Sequence, residues 1–151
     1  MILSKSELAY AKRARVAHLA TVDSKGNPHV VPLVFAMDRE AIYFVVDEKT
    51  KGRTTLRRIR NISETGKATV LIDNYSEDWS KLSYLMIYCE PKILGPGESL
   101  SEKKEISKLL KAKYPQYLKG SYFPLDLDDA YFVKLVPRRA TFWRNLRLSV
   151  V

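Results

Sequence analysis

The chain is short of the residue types on which most protein-borne chemistry depends. Its 151 residues include one cysteine, Cys89, and two histidines, His18 and His29. A lone cysteine excludes an internal disulfide. Set within an apolar run, it reads as a buried free thiol. The histidines lie on two segments that read as paired strands, and neither has a second His or Cys at ligand spacing, so a usual metal site is hard to build. His18 alternates with apolar neighbours and reads as structural. The G-x-S-x-G, Walker and G-x-G-x-x-G patterns are absent, and Gly95-Pro96-Gly97 is a turn without the lysine and serine of a phosphate loop. Asp126, Asp128 and Asp129 read as a solvated acidic loop. There is no run of about 18 apolar residues to span a membrane. The first residues, Met1 to Glu7, do not resemble a secretory signal, so a cytoplasmic protein is the expectation. If the protein is an enzyme, a bound cofactor carries its hard chemistry.

What is present points to a packed globule. Apolar residues make up 46% and aromatics 11%, which suits one domain over residues 1–151. Lys and Arg number 26 against 17 Asp and Glu, a net charge of +9 that favours an anionic partner. Ser4 and Glu7 have capping-box spacing and predict a helix to about Arg15. Runs at 16–22 and 29–37 flank a Gly-Asn-Pro turn, and a third at 41–46 completes a meander. Pro32 cannot donate to a ladder, so its strand should lie at an edge or bulge there. A helix from about Arg53 to Thr65 ends at Gly66. Strands follow at 67–75 and 82–94. Ser99 and Glu102 repeat the capping-box spacing ahead of a helix to about Lys113, which Tyr114-Pro115-Gln116-Tyr117 breaks. A strand over 130–136 is bent by Pro137 into a last one over 140–148. Antiparallel strands with three inserted helices predict a β-barrel flanked by helices.

The densest charge lies between Lys49 and Arg60, six positive residues and no acid in twelve positions. It begins in the loop after a strand and enters a helix. Backbone N–H groups at that helix start would stand beside Lys51 and Arg53, with the Thr54 and Thr55 hydroxyls close by, a constellation suited to a phosphate dianion. Gly52 would allow close backbone approach. Arg53, Arg57 and Arg60 share one helix face; Leu56, Ile59 and Ser63 lie on another. The same residues would equally form a solvated basic face with no ligand. A nucleic-acid site would also use them, but no aromatics are interleaved and no helix-turn-helix pattern surrounds them.

In order along the chain, Ala17-His18-Leu19-Ala20-Thr21-Val22-Asp23, Gly26-Asn27-Pro28-His29-Val30-Val31-Pro32 and Ile42-Tyr43-Phe44 resemble the first strands of the flavin-binding split barrels. Lys51 to Asn61 resembles their phosphate-binding loop and helix. Asp73 to Leu82 and Lys113 to Tyr117 resemble the deazaflavin-dependent subgroup of the pyridoxamine-phosphate-oxidase class. The similarity covers about residues 5 to 145. It implies a six-stranded antiparallel Greek-key split β-barrel, a two-fold homodimer with two cofactor sites at the interface, and FMN or coenzyme F-420 as cofactor. It places the cofactor phosphate on Lys51, Arg53 and Thr54 with Arg57 in support, and the ring on Val31, Pro32, Val45 and Val46. Trp79, Trp143 and Arg144 are the candidates for contributions across the dimer. The implied function is hydride transfer between that cofactor and a small molecule, with a non-catalytic carrier as the alternative. The C-terminal dimerisation segment of true pyridoxamine-phosphate oxidases, with its substrate-phosphate arginines, is missing. That argues against pyridoxal-phosphate synthesis.

Overall fold

A computed structural model describes residues 2–46 and 56–146. Helix α1 (Lys5–Arg13) opens with the expected capping box: Glu7 N–H donates to Ser4 Oγ at 3.1 Å, and Ser4 N–H donates to Glu7 Oε2 at 3.0 Å. The helix ends two residues before the expected Arg15. Strands β1 (Ala17–Val22) and β2 (Pro28–Leu33) form the expected hairpin. The Asp23 carboxylate ties its turn, accepting from the Lys25 and Asn27 amides and from Asn27 Nδ2, while Gly26 supplies a φ of 86°.

The expected 29–37 strand is broken at Val34 and Phe35. Its first part, β2, pairs with β1. Its last two residues, β3 (Ala36–Met37), pair with β4 (Ile42–Val45). Helix α2 (Arg57–Thr65) then ends on Gly66 at a φ of 65°, as expected. Strands β5 (Ala68–Asn74) and β6 (Ser83–Leu94) follow, then helix α3 (Leu100–Lys113) and strand β7 (Phe132–Arg144). The sheet order is β2-β1-β5-β6-β7-β4-β3, with every pairing antiparallel. The two edge strands, β2 and β3, are consecutive in the chain and separated by two residues, so the sheet curls until its edges meet. The architecture is the expected split barrel, with seven strands among the described residues rather than six. As Pro32 required, β2 is an edge strand.

Two expectations need correction. Pro137 does not end a strand: β7 runs through it as one element. A register shift lets Tyr88 pair with Arg139 and Cys89 with Pro137, and this bulge accommodates the residue that has no N–H to donate. Ser99 makes no capping box. It adopts a left-handed φ of 51° with no side-chain cap, while Glu102 pairs instead with Lys134 at 3.1 Å.

Alternation along the strands builds two cores. Leu19, Val70, Ile72, Leu85, Ile87, Phe44 and Leu135 meet Ile59 and Ile62 of α2 inside the barrel. On the opposite face of the β3-β4-β7 half, Ala36, Tyr43, Leu94 and Phe132 meet Ile106 and Leu110 of α3. That half of the sheet is covered on both sides. The β1-β5-β6 half is covered on one side only, so His18, Leu71, Tyr84, Met86 and Tyr88 remain half-exposed on the other.

Candidate functional site

The described part of the basic segment begins at Leu56, so Lys51, Arg53 and Thr54 lie outside the described residues; the helix begins at Arg57, after a non-helical Leu56, and not at the expected Arg53. Leu56 stands at the N-cap of α2 and supplies no side-chain hydrogen bond, and the first turn holds no acid. The Ile59 and Arg60 amides both turn back to the Leu56 carbonyl, at 3.0 and 3.1 Å. Among the described residues this leaves the first amides, next to the exposed Arg57, for an outside acceptor.

The other end of α2 is fixed to β1. Asn61 Nδ2 donates to Thr21 Oγ1 at 3.0 Å, and the Thr65 hydroxyl donates to the Val22 carbonyl at 3.2 Å. Arg57 lies near the β1–β2 turn, where its charge adds to the Asn27 hydrogen bonds that hold Asp23 below the usual carboxylate range. Three buried polar atoms in this region have no partner among the described residues: Arg58 Nε, Asn61 Oδ1 and His29 Nδ1, the last on the residue paired with Thr21. Burial lowers the pKa of Arg58. An orphaned guanidinium donor and an orphaned amide acceptor on an uncapped cationic helix fit the phosphate and hydroxyl groups of a flavin-type cofactor.

The remaining expected site residues fall in separate places. Val31 packs against the barrel core, and Val46 is buried in it, its N–H donating to the Tyr131 carbonyl at 2.9 Å. Val45 points the other way, against the α3 cluster. Pro32 is exposed and pairs with His18. Trp79 is 64% exposed on a 3₁₀ turn (Trp79–Lys81), and its carbonyl accepts from Asn145 Nδ2 at 2.7 Å. Trp143, 41% exposed, stacks on Tyr84 with ring centres 5.7 Å apart. The Arg144 guanidinium lies 4.8 Å from the centre of the Phe142 ring.

Strand register separates these groups. Thr21, next to α2, is level with Ala68 and Cys89, whereas Trp143 is level with Tyr84 and Asp73 at the far end of the same strands. Thus Trp79, Trp143 and Arg144 form one group, and Arg57, Arg58 and Asn61 another. Beside Trp143 lies a groove of about 410 Å³ that includes Leu71, Tyr75, Tyr84 and Met86 and is lined by neither Trp79 nor Arg144.

Sequence reasoning overlooked the surroundings of Tyr114. The segment around it reads as a helix break, yet Tyr114 is buried and its hydroxyl bridges two distant strands' approaches. It donates to the Arg15 carbonyl at 2.9 Å and accepts from the Phe35 N–H at 3.2 Å. The closely spaced tyrosines from 114 to 122 were the available signal. Cys89 is buried as expected, and burial pushes its thiol up to about 12.

A curled antiparallel barrel with a basic helix across one end and a bare apolar face on one half defines a split-barrel protein of the flavin-binding kind. A model of the pyridoxamine 5'-phosphate oxidase family matches residues 5–144, and the chain belongs to that family. It is similar to a 5a,11a-dehydrotetracycline/5a,11a-dehydrooxytetracycline reductase from Streptomyces rimosus, 28% identical over 74 residues, or 49% of this chain and 51% of that protein. The chain thus spans about half the length of the curated relative it matches. Among solved structures, the heme storage protein HutZ from Vibrio cholerae superposes with a TM-score of 0.68 at 14% identity, over 95% of each chain. An F420 reductase superposes with a TM-score of 0.65 at 20% identity, over 92% of this chain and 98% of that one. These likenesses are of fold. No described helix is long and apolar enough to cross a membrane.

Proposed function

We propose that the protein is an oxidoreductase that transfers a hydride between a bound flavin-type cofactor, coenzyme F-420 or FMN, and a small molecule. The observation that carries this is the start of α2: an uncapped, acid-free first turn with Arg57 exposed and Arg58 Nε without a partner among the described residues, shortly after Lys51, Arg53 and Thr54 in the chain. In this reading those residues hold the phosphate, and Pro32 and its neighbours on the β2 edge support the ring. The bound cofactor supplies the hydride chemistry; the protein orients it and keeps water from the reacting carbon. The reductase similarity over half the chain and the F420 reductase fold are in keeping with it.

The protein works as a homodimer in this proposal. The uncovered apolar face of the β1-β5-β6 half, with Pro32, Leu71, Met86 and Trp143, suits a second copy of itself. Two-fold pairing would carry the partner's Trp79, Trp143 and Arg144 toward the Arg57 end, which the same groups within one chain do not reach.

Side-by-side equilibrium titration with FMN and F-420 tests the reading. The Lys51→Ala, Arg53→Ala double variant should lose about 3–6 kcal/mol of cofactor affinity, at about 1.5–3 kcal/mol per charge-assisted contact, with an unchanged circular dichroism spectrum. Full affinity in the double variant would remove the phosphate site. Cofactor binding without reduction of any acceptor would leave a carrier.

A further inference from the structure

Where the two edges of the curled sheet join, a cavity of about 540 Å³ opens between the end of α1, the Val34 break and the chain after α3. It is lined by Arg15, Val16, Val34, Tyr114, Gln116, Tyr117 and Tyr122. Its size suits one ring-bearing small molecule. Three of its walls are phenol rings. Val16, Val34 and Tyr122 are among the large apolar side chains that the chain leaves exposed, and all three meet at this one opening.

The charge around it is of one sign. No lining residue is acidic. The Arg15 guanidinium lies 4.5 Å from the centre of the Tyr114 ring, and Arg15 takes part in no salt bridge among the described residues. Stacking on a ring engages the flat face of a guanidinium and leaves its in-plane N–H donors to aim elsewhere. Behind the Tyr114 wall, Lys113 Nζ sits 3.8 Å from the centre of the Phe35 ring, buried and without a hydrogen-bond partner among the described residues. Lys111 in turn lies over Phe123 at 4.8 Å. Three cations thus rest on aromatic rings where carboxylates would ordinarily answer them. Such a box favours a ligand that brings both a π-surface and a negative charge.

We propose that this cavity binds a planar aromatic carboxylate, its ring against Tyr114, Tyr117 and Tyr122 and its carboxylate on the outward N–H groups of Arg15. The site is separate from the α2 start, and the inference does not depend on which cofactor the chain binds.

The test uses the full chain without cofactor, titrated with 2-naphthoate and with the neutral 2-naphthamide by calorimetry and ligand fluorescence. The expected result is one saturable naphthoate site per chain, with naphthamide at least about fivefold weaker. Arg15→Gln should weaken naphthoate about tenfold, the loss of one charge-assisted contact, and leave naphthamide unchanged. Tyr122→Ala should weaken both. Both residues are exposed, so the folded circular dichroism spectrum should persist. Absence of saturable binding up to millimolar naphthoate would overturn the proposal. So would equal affinity for acid and amide, or naphthoate binding indifferent to both substitutions. FMN or F-420 titration of Arg15→Gln reports on the α2 site alone, so failure of one site is distinguishable from failure of the other.

Discussion

Replacing Tyr114 with phenylalanine removes one oxygen atom and two hydrogen bonds. The ring keeps its place against Tyr117, 6.0 Å away between centres, so little apolar burial is lost. What disappears is the bond to the Arg15 carbonyl and the acceptor for the Phe35 amide. The first is a neutral bond with a net contribution of about 1 kcal/mol. The second leaves a backbone N–H on a fully buried residue with no partner, which costs about 1–3 kcal/mol. Together Tyr114→Phe should destabilise the fold by about 2–4 kcal/mol. Unfolding entropy near 2.1 cal/mol/K per residue turns that into a fall in Tm of about 6–12 °C. The assay is guanidinium unfolding followed by tryptophan fluorescence and circular dichroism, with Tyr10→Phe as the control. Among the described residues the Tyr10 hydroxyl bonds only the Ser83 hydroxyl, at 2.8 Å, and its loss should cost about 1 kcal/mol. A Tyr114→Phe effect no larger than that of Tyr10→Phe would refute the reasoning. It would mean that water from the adjacent cavity replaces the phenol.

Lys103 is fully buried on α3 and donates to the Gly95 and Asp128 carbonyls at 2.7 and 3.1 Å, so Lys103→Met should cost about 1–3 kcal/mol in urea unfolding, partly offset by removing a buried charge. Burial, with Arg15 nearby, lowers Lys113 from the ordinary 10.5 to about 8. Between those values the unfolded chain holds a proton that the folded chain lacks, so stability should rise as pH goes from about 8 to about 10. The gain should be about 1 kcal/mol after allowing for the partly solvated side chain, and it should vanish in Lys113→Met when the two unfolding curves are compared across that range. Cys89, buried with its thiol raised to about 12, should resist dithiobis-nitrobenzoate at pH 8 in the native protein and react with one equivalent in denaturant. Rapid native labelling would contradict its burial.

The strands were legible where alternation is strict, as at Ala17–Val22 and Ala68–Ile72, because one residue in two faces the core. The break at Val34–Phe35 was not, since residues 30–37 are apolar throughout and no local signal marks where the chain leaves one sheet edge for the other. Pro137 misled because its lack of an N–H is answered by the shift beside Tyr88, a pairing fact about a strand some fifty positions earlier. The cationic stretch was readable as a possible anion site from its composition and its place before a helix. The Tyr114 cavity was not, because it joins Arg15, Val34 and Tyr114, residues with no local relation in sequence.

One further contrast has the same origin. Tyr43 and Tyr84 both alternate with core residues along their strands, and pattern alone treats them alike. Tyr43 is covered by α3, which burial and the Asp38 hydrogen bond register by raising its pKa; Tyr84 stacks on Trp143 and stays half-exposed among the described residues. Alternation specifies which side of a strand is apolar, not what lies against it. The half of this barrel that α3 does not reach therefore keeps an apolar outer face, and the proposed homodimer would place a second copy of that face against it.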